Sequence, residues 1–255
     1  MRNGILSVIL GGLLTTTAAA AGSTEAQQGE GLLNRTVKVG ATSYTYQVYV
    51  PAHLRGKQNL PVILFLHGIG QRGTGGFLTT EGVKGAMLRQ YLEKVPAIIL
   101  LPQCRRGSYW SDPVMDQMVT GALAQTVAEF KADPSRLYLT GVSMGGYGAW
   151  HLAAEHPNRF AAVVSICGGS PLYEGERFQS IARRVGRTPV WVFHGTDDRV
   201  VPVTESRQMV EALKANKGNV RYNEYEGVGH NVWLKVLSER ELLPWMLRQQ
   251  LSITS

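Results

Sequence analysis

The sequence has little of what marks several specialised chemistries. Cysteine occurs only at Cys104 and Cys167 in 255 residues, and no Cys/His grouping has the spacing of a zinc site. No glycine-rich loop is followed by the lysine of a phosphate cradle. Charged residues make up 18% of the chain, and the excess of positive charge is scattered, with Arg105-Arg106 and Arg183-Arg184 only pairs. No basic stripe interleaves with aromatics to follow a nucleic-acid backbone. No apolar run is long enough to span a bilayer, and there is no internal repeat and no long linker. These absences leave no expected cofactor or metal, no nucleic-acid partner and no transmembrane segment.

What remains is a chain with 44% apolar residues, enough for one sizeable core without staples. Residues 1–21 read as a signal peptide: Arg2 is positive, Ile5–Leu14 is a short apolar run and Ala18–Ala21 are small. The expectation is a secreted or periplasmic protein. Residues 22–33 read as a flexible leader and residues 34–255 as one α/β domain. In an oxidising compartment a Cys104–Cys167 disulfide must be considered. The two follow strands that are not neighbours, and three strand spacings of about 4.8 Å exceed the ~7 Å Cα limit. Two buried free thiols are expected.

Thr36–Val39 and Tyr44–Val50 read as an antiparallel hairpin ending at Pro51. From Pro61 the pattern changes to short, nearly unbroken apolar runs: 62–66, 97–101, 137–140, 161–166 and 190–193. Such runs suit parallel strands buried on both faces. Helices are expected between them, over Met118–Phe130, Met144–His156 and Thr204–Lys217. Alternating strand and helix with short links predicts a mostly parallel central sheet with helices on both faces. The gap between Gly168 and Pro189 is too short for a large lid.

The strongest chemical signal is Gly141-Val142-Ser143-Met144-Gly145 between a strand and a helix. A sharp strand-to-helix turn strains the serine and requires small neighbours, and it presents the hydroxyl at a helix N-terminus. In this arrangement the acid and then a histidine follow the serine in the chain. His151 and His156 lie on the serine's own helix, and His194 comes too early to follow an acid. His230, in a glycine-rich loop after Val220–Tyr225, has the right order. The acid belongs to the loop after 190–193, where Asp197 and Asp198 stand side by side. Successive extended residues point opposite ways, so only one of them can face the imidazole. Trp110 and Trp233 could line an acyl or aryl pocket, although packing of the helix after His230 is the stronger expectation for Trp233.

Four segments carry a resemblance: His67-Gly68-Ile69-Gly70-Gln71-Arg72-Gly73, Asp133 through Gly146, His194-Gly195-Thr196-Asp197-Asp198-Arg199-Val200-Val201-Pro202, and Gly229-His230-Asn231-Val232-Trp233. Together they resemble the phospholipase/carboxylesterase and predicted-peptidase (prolyl-oligopeptidase-like) group of α/β hydrolases, close to feruloyl and acetylxylan esterases. The resemblance implies a single-domain α/β hydrolase with a minimal lid. It also implies a Ser143–His230–Asp198 triad, with Asp198 chosen over Asp197 as the fifth residue of its motif. The oxyanion-hole donors it implies are the backbone N–H groups of Met144 and Ile69, with His67 a structural loop residue. The expected activity is hydrolysis of a small-molecule or polymer-borne carboxylic ester through an acyl-enzyme. The alternatives are an oligopeptidase using the same triad and a non-catalytic polymer-binding protein on a hydrolase scaffold.

Overall fold

A computed structural model describes residues 31–75, 92–171 and 177–252. The signal peptide read over 1–21, and the leader up to residue 30, lie outside the described residues. Among these residues, eight strands form one sheet: β1 (Gly31–Val39), β2 (Thr42–Val50), β3 (Val62–Leu66), β4 (Ile98–Pro102), β5 (Leu137–Val142), β6 (Ala162–Ile166), β7 (Val190–Gly195) and β8 (Val220–Tyr225). Their order is β1-β2-β4-β3-β5-β6-β7-β8. β1 and β2 pair antiparallel, β2 joins β4 antiparallel, and every pairing from β4 through β3 to β8 is parallel.

The unbroken apolar runs have the expected cause. Leu64, Leu100, Leu139 and Val192 enter the core on one face. Their neighbours Ile63, Ile99, Tyr138 and Phe193 enter the core on the other. Among the described residues, four helices cover the first face: α1 (Pro113–Glu129), α2 (Met144–Glu155), α3 (Arg177–Val185) and α4 (Val203–Ala215). Among the described residues, two short ones, α5 (Trp233–Val236) and α6 (Leu242–Leu247), pack on the second. The chain is thus a mostly parallel α/β sandwich of the α/β-hydrolase type.

Two boundaries differ from expectation. β1 begins at Gly31, so residues 31–33, read as leader, belong to the sheet. Leu32 pairs with Tyr49 and Leu33 with Val48, and the two leucines pack against opposite cores. Helix α1 starts five residues before Met118, because Asp112 stands at its N-cap and Pro113 opens the first turn. In the gap before Pro189, α3 buries Phe178, Ile181, Ala182 and Val185 in the first core, beside α2 and α4. Cys104 and Cys167 are both buried free thiols, separated by β3 and β5 in the sheet order.

Candidate active site

The site gathers at the C-terminal ends of β3, β5, β7 and β8. Ser143 links β5 to α2 with φ 56° and ψ −118°, a conformation that L-residues rarely adopt. Its N–H donates to the Ile166 carbonyl of β6 at 2.9 Å, and its carbonyl accepts from the Gly146 and Tyr147 amides. The two flanking glycines are forced by close approach. A Cβ on Gly141 would stand 2.0 Å from the Gly145 carbonyl oxygen, and one on Gly145 would stand 1.9 Å from that of Leu66. The turn therefore lies directly against β3, leaving the serine half-buried and pointing outward.

Asp198 and His230 come from the loops after β7 and β8, which are pressed together. Thr196 N–H donates to the Tyr225 carbonyl at 3.0 Å and Asp197 N–H to that of Val228 at 3.0 Å. His230 Nε2 lies 2.9 Å from Ser143 Oγ, and its Nδ1 lies 2.7 Å from Asp198 Oδ2. The side chain of Asp198 has no solvent exposure, whereas that of His230 is 22% exposed. Asp198 Oδ1 accepts from the Val200 and Val201 amides, each at 2.9 Å. Burial alone would raise this carboxyl, but the His230 hydrogen bond and the two amides outweigh it and hold it below the ordinary carboxylate range. Asp197 instead points to solvent, where it accepts from the Thr196 hydroxyl at 2.8 Å.

Met144 opens α2 and Ile69 opens a 3-10 turn, Ile69–Gln71. The first amides of a helix have no acceptor within it and are free for an anion. The loop that carries Ile69 runs beside the serine: a Cβ on Gly68 would lie 3.7 Å from Ser143 Cβ. His67 holds this loop from below. Its Nε2 accepts from the Cys104 amide at 3.1 Å, which leaves the proton on Nδ1, 2.8 Å from the Gly68 carbonyl. Burial pushes its pKa down to about 4, so the ring stays neutral.

Ser143, Met144 and Ile69 share an open cleft of about 180 Å³ with Trp110, Tyr147 and Val200. Trp110 belongs to its wall but is nearly fully buried, and its Nε1–H donates to the His67 carbonyl at 3.0 Å. Trp233 is not among the cleft-lining residues. It packs against the second core and stands edge-on to His230, with ring centroids 6.0 Å apart.

One group that the chain-order argument set aside returns in space. His194, fully buried at the end of β7, reaches Asp198 Oδ2 at 3.2 Å. The spacing of four residues around a strand end was the only available hint. Among the described residues, the grouping with metal-ligand character is Cys167, Asp198 and His230, with ligand atoms within 4.8 Å of one another. Asp198 and His230 already engage each other there, and burial raises the Cys167 thiol to about 12. A cation would have to break the first contact and displace the thiol proton.

Residues 111–240 match the phospholipase/carboxylesterase family. The bifunctional acetylxylan esterase/xylanase XynS20E of Neocallimastix patriciarum is 26% identical over 66% of this chain and 23% of its own. Carboxylesterase SOBER1 of Arabidopsis thaliana is 24% identical over 73% of this chain and 90% of its own. A solved structure of a thermostable esterase superposes with a TM-score of 0.72 at 34% identity, over 86% of this chain and 63% of that one. The chain thus spans less than a quarter of the Neocallimastix protein and under two thirds of the thermostable esterase. With a strained serine on a strand-to-helix turn and the matched segment running across it, the chain belongs to the phospholipase/carboxylesterase family of α/β hydrolases.

Proposed function

We propose that the protein is a serine esterase that cleaves carboxylic esters through an acyl-enzyme. The observation that carries this reading is the pair of contacts at His230: 2.9 Å from Nε2 to Ser143 Oγ and 2.7 Å from Nδ1 to Asp198 Oδ2. As Ser143 Oγ bonds to the ester carbonyl carbon, its proton passes to His230 Nε2. Asp198 accepts the Nδ1–H bond and stabilises the imidazolium. The carbonyl oxygen becomes an oxyanion facing the Met144 and Ile69 amides. His230 then gives its proton to the departing alkoxide, and a water deprotonated by the same nitrogen cleaves the acyl–serine bond.

The cleft volume, about 180 Å³, is below the ~300–1,000 Å³ of sites that engulf a ligand. It admits a short acyl group. The rim is apolar and open, with Ile69 48%, Tyr109 49% and Val200 68% exposed, so the alcohol portion stays outside and can be large.

Turnover of p-nitrophenyl acetate by the wild type and by Ser143→Ala tests the reading, together with labelling by a fluorophosphonate probe. The expected loss in Ser143→Ala is at least about 10³-fold, with labelling abolished. A Ser143→Ala protein that retains hydrolysis overturns it. Parallel assay of matched peptide amides separates an esterase from a peptidase.

A further inference from the structure

We propose that His194 and Ser206 form a buried positioning pair that orients Asp198 and sets the pH range over which the His230–Ser143 relay operates. This rests on the serine-esterase reading, since it concerns how that relay is tuned.

The tautomer of His194 follows from its neighbours. Nε2 lies 2.9 Å from the Val201 carbonyl, which can only accept, so Nε2 carries a proton. Burial lowers the pKa of this fully buried ring, so it is neutral and its Nδ1 is an acceptor. Ser206 Oγ lies 2.7 Å from Nδ1 and must be the donor there. The Gly168 carbonyl, 3.5 Å from the same oxygen, is the more distant acceptor, so the single hydroxyl proton goes to Nδ1. Nε2–H is then shared between the Val201 carbonyl and Asp198 Oδ2 at 3.2 Å. Asp198 Oδ2 thus accepts from His230 Nδ1 and has His194 Nε2 at 3.2 Å, while Oδ1 accepts from two amides.

That arrangement has a defined electrostatic consequence. A second donor on Oδ2 spreads the carboxylate charge and weakens its pull on the imidazolium of His230. Donation from Ser206 to Nδ1 makes Nε2–H a better donor, as successive hydrogen bonds polarise one another. Other ionisable groups face the pair from adjoining elements. Glu224 of β8 lies opposite His194 in register and is held by Arg207. Glu205 of α4, beside Ser206, is held by Arg177 and the Ser170 amide. The Cys167 thiol, after β6, lies within 4.8 Å of the Asp198 carboxylate. Both glutamates have partners of their own, and the thiol carries no charge at neutral pH, leaving His194 as the direct modulator of Asp198.

The test is the pH profile of kcat/KM for p-nitrophenyl acetate in the wild type, His194→Leu, His194→Gln and Ser206→Ala. Removing the donor concentrates negative charge on Oδ2 and favours the protonated form of His230. The acidic limb in His194→Leu should therefore move to higher pH by at least ~0.5 unit. His194→Gln, whose amide can still donate, should restore the limb toward the wild type. Ser206→Ala should move it in the same direction by less, and decides the matter if His194→Leu does not fold. An unmoved limb in the folded variants overturns the proposal, even if kcat falls, because a loss of packing alone lowers rate without shifting a titration. A His194→Gln profile identical to that of a folded His194→Leu also overturns it. Fluorophosphonate labelling of each variant keeps the two readings apart. Failure of the wild type to label at Ser143 removes the esterase reading, whereas normal labelling with an unmoved limb removes only the role of His194.

Discussion

Ser143 occupies a backbone conformation, φ 56° and ψ −118°, that costs an L-residue about 1–3 kcal/mol and costs glycine almost nothing. Alanine at this position removes the hydroxyl but keeps the strain. Glycine removes both. Ser143→Gly is therefore expected to be more stable than Ser143→Ala by about 1 kcal/mol, reversing the usual order of the two residues, with neither showing esterase activity. Urea denaturation of the pair checks this, and equal or inverted midpoints contradict it. At this scale the serine and His230 were legible, because a motif and a chain order point to them. Asp198 was not separable from Asp197 by spacing. What distinguishes them in space is the fold of one loop, which gives Asp198 two amides and an imidazole and turns Asp197 to water. His194 was illegible, since its role depends on which ring nitrogen carries a proton, and only the Val201 carbonyl determines that.

The turn between β5 and α2 is built by contact rather than by propensity. Gly145 has the Leu66 carbonyl where its side chain would be, at 1.9 Å. Gly145→Ala must push α2 away from β3 or break the turn, so it should destabilise the protein by more than about 3 kcal/mol or prevent folding. By contrast, Gly70→Ala should cost under about 1 kcal/mol, because nothing lies within 4 Å of its Cβ position and its φ is not positive. Thermal melts of the two variants compare them directly, and similar melting temperatures would contradict the contact argument. The central strands were legible because burial on both faces leaves no polar interruption. The start of β1 was hidden: Gly31-Leu32-Leu33 offers no alternation, and both leucines are apolar because each meets a different core. The first turn of α1 was hidden for a related reason, since its Asp-Pro start lies ahead of the apolar stripe.

For the molecule as a whole, acid stability turns on imidazoles kept neutral. An unfolded His67 takes a proton near its usual pKa of ~6.5, whereas the folded one resists until about 4. Between those values the unfolded chain binds more protons, so stability falls as pH drops through that window and the loss is complete below it. For His67 the loss amounts to about 3 kcal/mol. His194, lowered in the same direction by burial, adds to it. Asp198, held low, contributes stability above the ordinary carboxylate range that disappears only at still lower pH. Urea midpoints at neutral pH and near pH 4.5 should differ markedly in the wild type and less in His67→Gln. An unchanged difference would show that another group governs the acid limit.

The sealed position of Asp198 has a final consequence under the proposed mechanism. With that carboxylate shut away from water, a proton can enter or leave only across the cleft edge of the imidazole. Two fixed amides meanwhile hold the carbonyl oxygen on the opposite flank. A planar acyl carbon wedged between these fixtures can offer the serine just one of its two faces, so mirror-image esters will be handled at unequal rates.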